Sequence, residues 1–189
     1  DMSVLGYASS ENGVNITNRH PEPAYYPSNK LTDAPDKRVG ERLVLYDSGG
    51  GWNGGTEDPR LTLIGSTVYL LYTACDGWGS IRIALTCLPI NDFKKQNWNW
   101  KEPVFISPPN QIHKNWVLFP EKINGKYAIM HSISPEISIS YFDSLDELDG
   151  TKYISDSHYN QAPRTTWDNW IRGAGPSPIK TKYGWLVLY

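Results

Sequence analysis

No stretch of about 18 apolar residues occurs in this chain, which excludes a membrane-spanning helix. Cysteine is scarce. Cys75 and Cys87 are the only two, too few for a disulfide framework and spaced like no zinc site, so both are expected to be buried thiols. No cluster of His, Cys and Asp suggests a metal centre. Positive charge is not in excess either, since the formal net charge is −2; a domain that neutralises a phosphate backbone carries a basic stripe, and nucleic acid is not an expected partner. Asp1-Met2-Ser3 opens without a basic segment and an apolar run, so no signal peptide is read. The compartment stays open between cytoplasm and periplasm. Helical periodicity is nearly absent as well.

What is abundant is aromatic. Eight Trp and twelve Tyr stand against four Phe. Tyr and Trp join a flat apolar face to a polar edge, which suits sugar rings, although many-stranded sheets favour aromatics for their own packing. Fourteen Pro and sixteen Gly are scattered at short intervals, and the short runs between them read as strands at 4–8, 42–46, 61–64, 67–73, 80–86, 103–106, 116–119, 126–131, 136–142, 178–180 and 185–189. Two loops are expected, 18–38 and 144–168, the second with a short helix near 145–148. Many short strands separated by turns describe an all-β sandwich, barrel or propeller.

A repeat chooses among these. Leu63-Ile64-Gly65 followed by Thr67-Val68-Tyr69 is a two-strand unit turning at glycine. It recurs around Gly125 and Gly184, roughly 60 residues apart each time, a blade spacing stretched by loops. A propeller is therefore expected, with a sandwich as the alternative. Segment 4–13 reads as the outer half of a blade, and the chain stops within its third repeat. The expectation is a single propeller domain over 1–189 that is an incomplete fragment, about four blades cut at both ends, because a ring must close to protect its edges.

Several residues carry chemistry. In Gly54-Gly55-Thr56-Glu57-Asp58-Pro59-Arg60, two glycines permit close backbone approach and two acids and an arginine precede a strand. Strand alternation places Asp58 and Arg60 on one side and Glu57 on the other; the alternative is a structural Asp–Arg pair. One blade later come Lys114 and Asn115, with Trp116 as a stacking surface and Glu121 as a second carboxylate. His131-Ser132 ends an inner strand, and Glu136 begins the next. Trp170-Ile171-Arg172-Gly173-Ala174-Gly175 opens the last repeat; no helix follows it, so it is not a nucleotide loop.

These segments, in this order, resemble glycoside hydrolase family 130. The likeness rests on residues 54–60, on Tyr72-Thr73-Ala74 with Arg82-Ile83-Ala84, on Lys114-Asn115 with Leu118-Phe119-Pro120-Glu121-Lys122-Ile123, and on Gly173-Ala174-Gly175-Pro176 before Gly184-Trp185-Leu186. It covers nearly the whole chain outside the two loops. The resemblance implies a five-bladed propeller acting on β-linked mannose with inversion, either by phosphorolysis to α-mannose 1-phosphate or by hydrolysis. It implies that Asp58 is the general acid, passing its proton through the 3-hydroxyl of the bound mannose. Arg60 then orients the acid or touches sugar, while Lys114 and Asn115 line the nucleophile's side. Glu57, His131, Arg172, Arg82 and Asp76 complete the expected substrate-binding set.

No cofactor is implied, only inorganic phosphate as co-substrate in a phosphorylase. The partner is a β-mannoside oligosaccharide, and a homo-oligomer is admitted. The family's phosphorylases usually carry His-Arg where this chain has His131-Ser132, and serine cannot replace a bidentate guanidinium. Hydrolysis is therefore the first expectation, with Glu121 and Glu136 as candidate bases. Phosphorolysis and a non-catalytic carbohydrate-binding propeller are the alternatives. A propeller scaffold for protein partners is a further one, and it predicts no affinity for mannosides.

Overall fold

A computed structural model describes residues 3–26, 38–39, 42–43, 55–75, 81–134, 136–155 and 173–189. The turn glycines organise it. β1 (Ala8–Ser9) pairs with β2 (Asn18–Arg19), and β3 (Arg38–Val39) with β4 (Arg42–Leu43). The main sheet is an antiparallel meander of β5 (Gly55–Ile64), β6 (Thr67–Cys75), β7 (Ile81–Pro89) and β8 (Val104–Phe105). A second sheet holds β9 (Val117–Leu118), β10 (Tyr127–Ser132) and β11 (Ser138–Phe142), and a final hairpin joins β12 (Ile179–Thr181) to β13 (Gly184–Leu186). Gly65, at φ 60, opens the two-residue turn between Ile64 and Thr67. Asn124 and Gly125 turn within the Ile123–Lys126 bridge with both φ positive, the geometry that Asn-Gly favours in tight hairpins.

Burial explains why these sheets stack. β6 and β7 are covered on both faces. On one side Leu71, Ile83 and Leu85 pack with Ile106, Trp116, Leu118 and Ile129, which joins the first sheet to the second. On the other side Leu70, Tyr72, Ala74 and Ala84 pack against Tyr25 and Phe105. Beyond β9 and β10, a third cluster of Val117, Phe119, Ala128 and Met130 takes Ala174 and, from the last hairpin, Trp185. The result is a succession of small antiparallel sheets packed face to face, nearly all-β.

Several sequence expectations are corrected. The 18–38 segment is not simply a surface loop: β2 lies in it, and Ala24 and Tyr25 are buried, with the Tyr25 hydroxyl 2.8 Å from that of Tyr72. Residues 27–37 of that segment lie outside the described residues. A five-residue helix α1 (Ile90–Lys94), too short to leave a period in the sequence, follows β7 directly after Pro89. The helix expected near 145–148 is a 3₁₀ turn, Leu145–Glu147, closed by a capping box between Ser144 and Glu147. Residues 156–168 of that loop lie outside the described residues. Cys75 is buried and Cys87 half-buried, both as free thiols. Among the described residues, no helix is long and apolar enough to cross a membrane.

Candidate active site

The start of β5 builds the site. β5 and β6 pair regularly up to Glu57 opposite Thr73, then resume with Arg60 opposite Leu71. Two residues, Asp58 and Pro59, therefore oppose one, a β-bulge. Asp58 takes a positive φ of 50, uncommon for any residue but glycine, though aspartate and asparagine adopt it more readily than most, and disfavoured before proline. Such strain persists only where the surroundings hold it. The bulge also breaks the simple alternation expected along this strand.

The partners follow from that geometry. Lys114 Nζ lies 2.9 Å from Asp58 Oδ2, with side-chain exposures of 23% and 40%, so the pair faces solvent and is open to a ligand. Arg60 does not pair with the Asp58 carboxylate, as the sequence suggested. Its Nη1 donates to the Asp58 carbonyl at 3.0 Å and its Nη2 to Asn115 Oδ1 at 3.1 Å. Burial works against the charge of Lys114, yet the hydrogen bond and charge of Asp58, with Glu57 nearby, outweigh it and hold the ammonium above its usual pKa. Glu57 is half-buried and accepts a long contact of 3.9 Å from the Cys75 thiol. Asn115, at φ 63, is the second non-glycine residue of the site in left-handed backbone.

Next to Lys114 in the chain begins a cluster of rings packed edge-on and tilted. Trp116, 1% exposed, sits between His113 at 5.2 Å and His131 at 5.5 Å. The expected role of Trp116 as a sugar platform is thus corrected: its faces are taken by protein. His131 is 4% exposed, and its Nε2 lies 3.1 Å from Ser140 Oγ. Arg82 is fully buried; its Nε donates to the Ser107 carbonyl at 3.0 Å and its guanidinium lies 3.9 Å from the Phe105 ring. Those contacts hold the guanidinium inside the fold.

Of the two carboxylates considered as bases, Glu121 is exposed and ion-paired with Lys180. It lies toward the Asn124-Gly125 turn, at the end of the β9–β10 pair opposite Lys114 and His131. Glu136 is exposed on the loop from β10 to β11, at the His131 end. Asp76 and Arg172 lie outside the described residues. The structure thus brings together Asp58, Arg60, Lys114 and Asn115, leaves Glu121 apart, and buries Arg82 on β7, where its charge acts on His113. Sequence reasoning treated Gly173 only as part of a motif, whereas it stands against Asn115; its pairing with an Asn of positive φ leaves no local pattern. Among the described residues, no group of three or more His, Cys, Asp or Glu is placed to hold a metal.

His113 gives a prediction about pH. Its Nε2 contacts Gln111 Oε1 at 2.8 Å, its Nδ1 is buried without a hydrogen-bond partner, and it is 2% exposed. Burial, helped by the charges of Arg82 and His131, pushes its pKa down to about 4. The unfolded imidazole takes its proton near pH 6.5 and the folded one does not, so this contribution is full above that value. It is lost as pH falls toward about 4. Between pH 6.5 and 5, stability is expected to fall by up to about 2 kcal/mol through this group. Urea unfolding at both pH values checks it: His113→Phe should flatten the slope, and an unchanged slope would refute the assignment.

Comparison with known proteins adds independent information. The glycoside hydrolase 130 family model, described as beta-1,4-mannooligosaccharide phosphorylase, matches residues 2–189. The chain is 36% identical to a 1,2-beta-oligomannan phosphorylase of Thermoanaerobacter sp. (strain X514), covering 100% of this chain and 53% of that protein. A beta-1,2-mannobiose phosphorylase of the same organism is 33% identical over 100% of this chain and 52% of its own length. A beta-1,4-mannooligosaccharide phosphorylase of Ruminococcus albus is 31% identical over 70% of this chain and 37% of its own.

A solved structure superposes with a TM-score of 0.56 at 17% identity, over 98% of this chain and 50% of that one, which is a likeness of fold. It comes from work on glycoside hydrolases, within the GH130 family of mannoside phosphorylases, that target beta-1,2 mannosidic linkages in Candida mannan. The chain spans about half the length of the curated relatives it matches.

Proposed function

Because the chain belongs to glycoside hydrolase family 130, we propose that it forms part of a five-bladed propeller enzyme that phosphorolyses β-mannosides with inversion. The observation that carries this reading is the convergence of one carboxylate and two cations at the bulge: Lys114 on Asp58, and Arg60 held between the Asp58 backbone and Asn115. The named relatives are phosphorylases, so phosphorolysis replaces hydrolysis as the first reading.

In this scheme the arriving phosphate draws Lys114 off Asp58, the freed carboxylate takes up a proton, and as the acid it gives that proton through the 3-hydroxyl of the bound mannose to the leaving oxygen. A phosphate oxygen attacks the anomeric carbon from the opposite face as the glycosidic bond breaks. The products are α-mannose 1-phosphate and the shortened sugar. An inverting reaction with phosphate as attacker needs no second carboxylate, but it needs a cationic clasp. Lys114 is the cation for which an arriving phosphate competes with Asp58, and that competition links entry of the nucleophile to release of the acid.

One observation favours hydrolysis as a second reading. Ser132 follows His131 where the resembling phosphorylases carry arginine, and its hydroxyl donates to the Ser134 carbonyl instead. A water attacker needs a base, for which Glu136 is better situated than Glu121.

Product analysis decides between them. The intact protein is given β-1,2- and β-1,4-linked mannobiose with and without inorganic phosphate. Mannose 1-phosphate formed only with phosphate is the expected result. Free mannose released at the same rate in both conditions would overturn phosphorolysis and turn the search for a base to Glu136.

A further inference from the structure

Gly173 has no part in the scheme above, yet it touches the site. It takes φ +133, and a Cβ built there would lie 2.8 Å from Asn115 Cβ, with Asn115 Nδ2 and carbonyl oxygen at 3.5 Å. The contact is to the root of the Asn115 side chain rather than to a flexible tip, so the backbone of one segment has to give. The glycine's own segment is pinned. Ala174 is 3% exposed in the third core cluster, Gly175 N–H donates to the Leu188 carbonyl at 2.8 Å, and the Ser177 and Thr62 hydroxyls lie 2.6 Å apart. The give therefore falls on Asn115, whose Oδ1 accepts from Arg60 Nη2.

We infer that Gly173 is a positioning residue: its missing side chain lets segment 173–177 clamp Asn115, and Asn115 in turn holds Arg60 over the Asp58 backbone. The inference rests on the mannoside-cleaving reading of this site. Moving Asn115 Cβ from 2.8 Å to ordinary contact distance takes a shift of roughly 1 Å, and it passes directly to Arg60, because the two share a hydrogen bond and Arg60 Nη1 already sits on the Asp58 carbonyl.

The test is a double-mutant cycle in the intact protein with Gly173→Ala, Asn115→Gly and both together. Glycine accepts the φ of 63 at position 115 and removes the clashing Cβ. Gly173→Ala is expected to lower kcat/KM by about 100-fold in the native background and by less than about 3-fold when Asn115 is Gly. The backbone strain of alanine at 173 is common to both backgrounds and cancels. Assays well below the melting temperature of each variant separate this from unfolding.

An equal factor in both backgrounds would make Gly173 merely structural and overturn the inference. Melting temperatures give a readout that does not depend on turnover: the drop caused by Gly173→Ala should be smaller when Asn115 is Gly, the remainder being the backbone strain that both backgrounds share. If the native protein turned over no β-mannoside with or without phosphate, the functional reading would fall and the positioning role with it. The melting cycle would still show whether the clamp exists.

Discussion

Asp58→Asn is expected to lower turnover of β-mannosides by about 10²–10⁴-fold, the usual worth of a positioned general acid. Affinity for mannobiose should change only a few-fold. Asparagine matches aspartate in shape and keeps an oxygen for the Lys114 ammonium, which lies 2.9 Å from Asp58 Oδ2, but it has no proton to give. Kinetics and calorimetric titration of the same variant measure the two effects separately. A leaving group that departs without a proton, such as a nitrophenol, should recover much of the lost rate. Equal loss of rate and affinity would sink the assignment and return Asp58 to a structural pair at the bulge. A carbohydrate-binding propeller without turnover predicts a native protein inactive on every mannoside, a result the same experiment exposes.

The second large effect concerns folding. Arg82→Ala is expected to cost about 3–5 kcal/mol of stability, the range seen when a large buried side chain or a buried charge is cut away. Arg82 is fully buried, its guanidinium contacts the Phe105 ring face and lies 5.2 Å from the Tyr153 ring, and Nε and Nη2 both donate to the Ser107 carbonyl. Ser107 is itself fully buried, and its hydroxyl accepts from Ile83 N–H at 2.8 Å, tying the loop after β8 to β7. Removal opens a cavity and leaves a buried carbonyl without its donor. Arg82→Lys should recover little, because a point charge on a flexible stem reproduces neither the stacking nor the fork. Urea unfolding measures the loss. A change under about 1 kcal/mol would overturn the packing role.

Much of the architecture was legible because it is local. Gly65 and Asn124-Gly125 announce tight turns through backbone angles that other residues avoid, and the runs beside them alternate or stay apolar as strands must. From these the sequence by itself determined an all-β chain with repeated two-strand units, and it singled out residues 54–60 as the candidate site.

It could not determine which side chains meet. Asp58 and Arg60, two apart in the sequence, suggested a carboxylate–guanidinium pair, but one extra residue in the β5 ladder turned the carboxylate to Lys114 and left Arg60 to backbone and Asn115. Arg82, Trp116 and Glu121 have the chemistry of site residues; only contacts with Phe105, Tyr153 and Ser107 buried the first, only the packing of one sheet on the next buried the second, and only the β9–β10 register carried the third to the far end. Gly173 acquired meaning only when the fold set it against Asn115. Turns and strands arise from the covalent preferences of neighbouring residues, while bulges, burial and contacts between sheets depend on groups far apart in the chain, and those only the tertiary structure brings together.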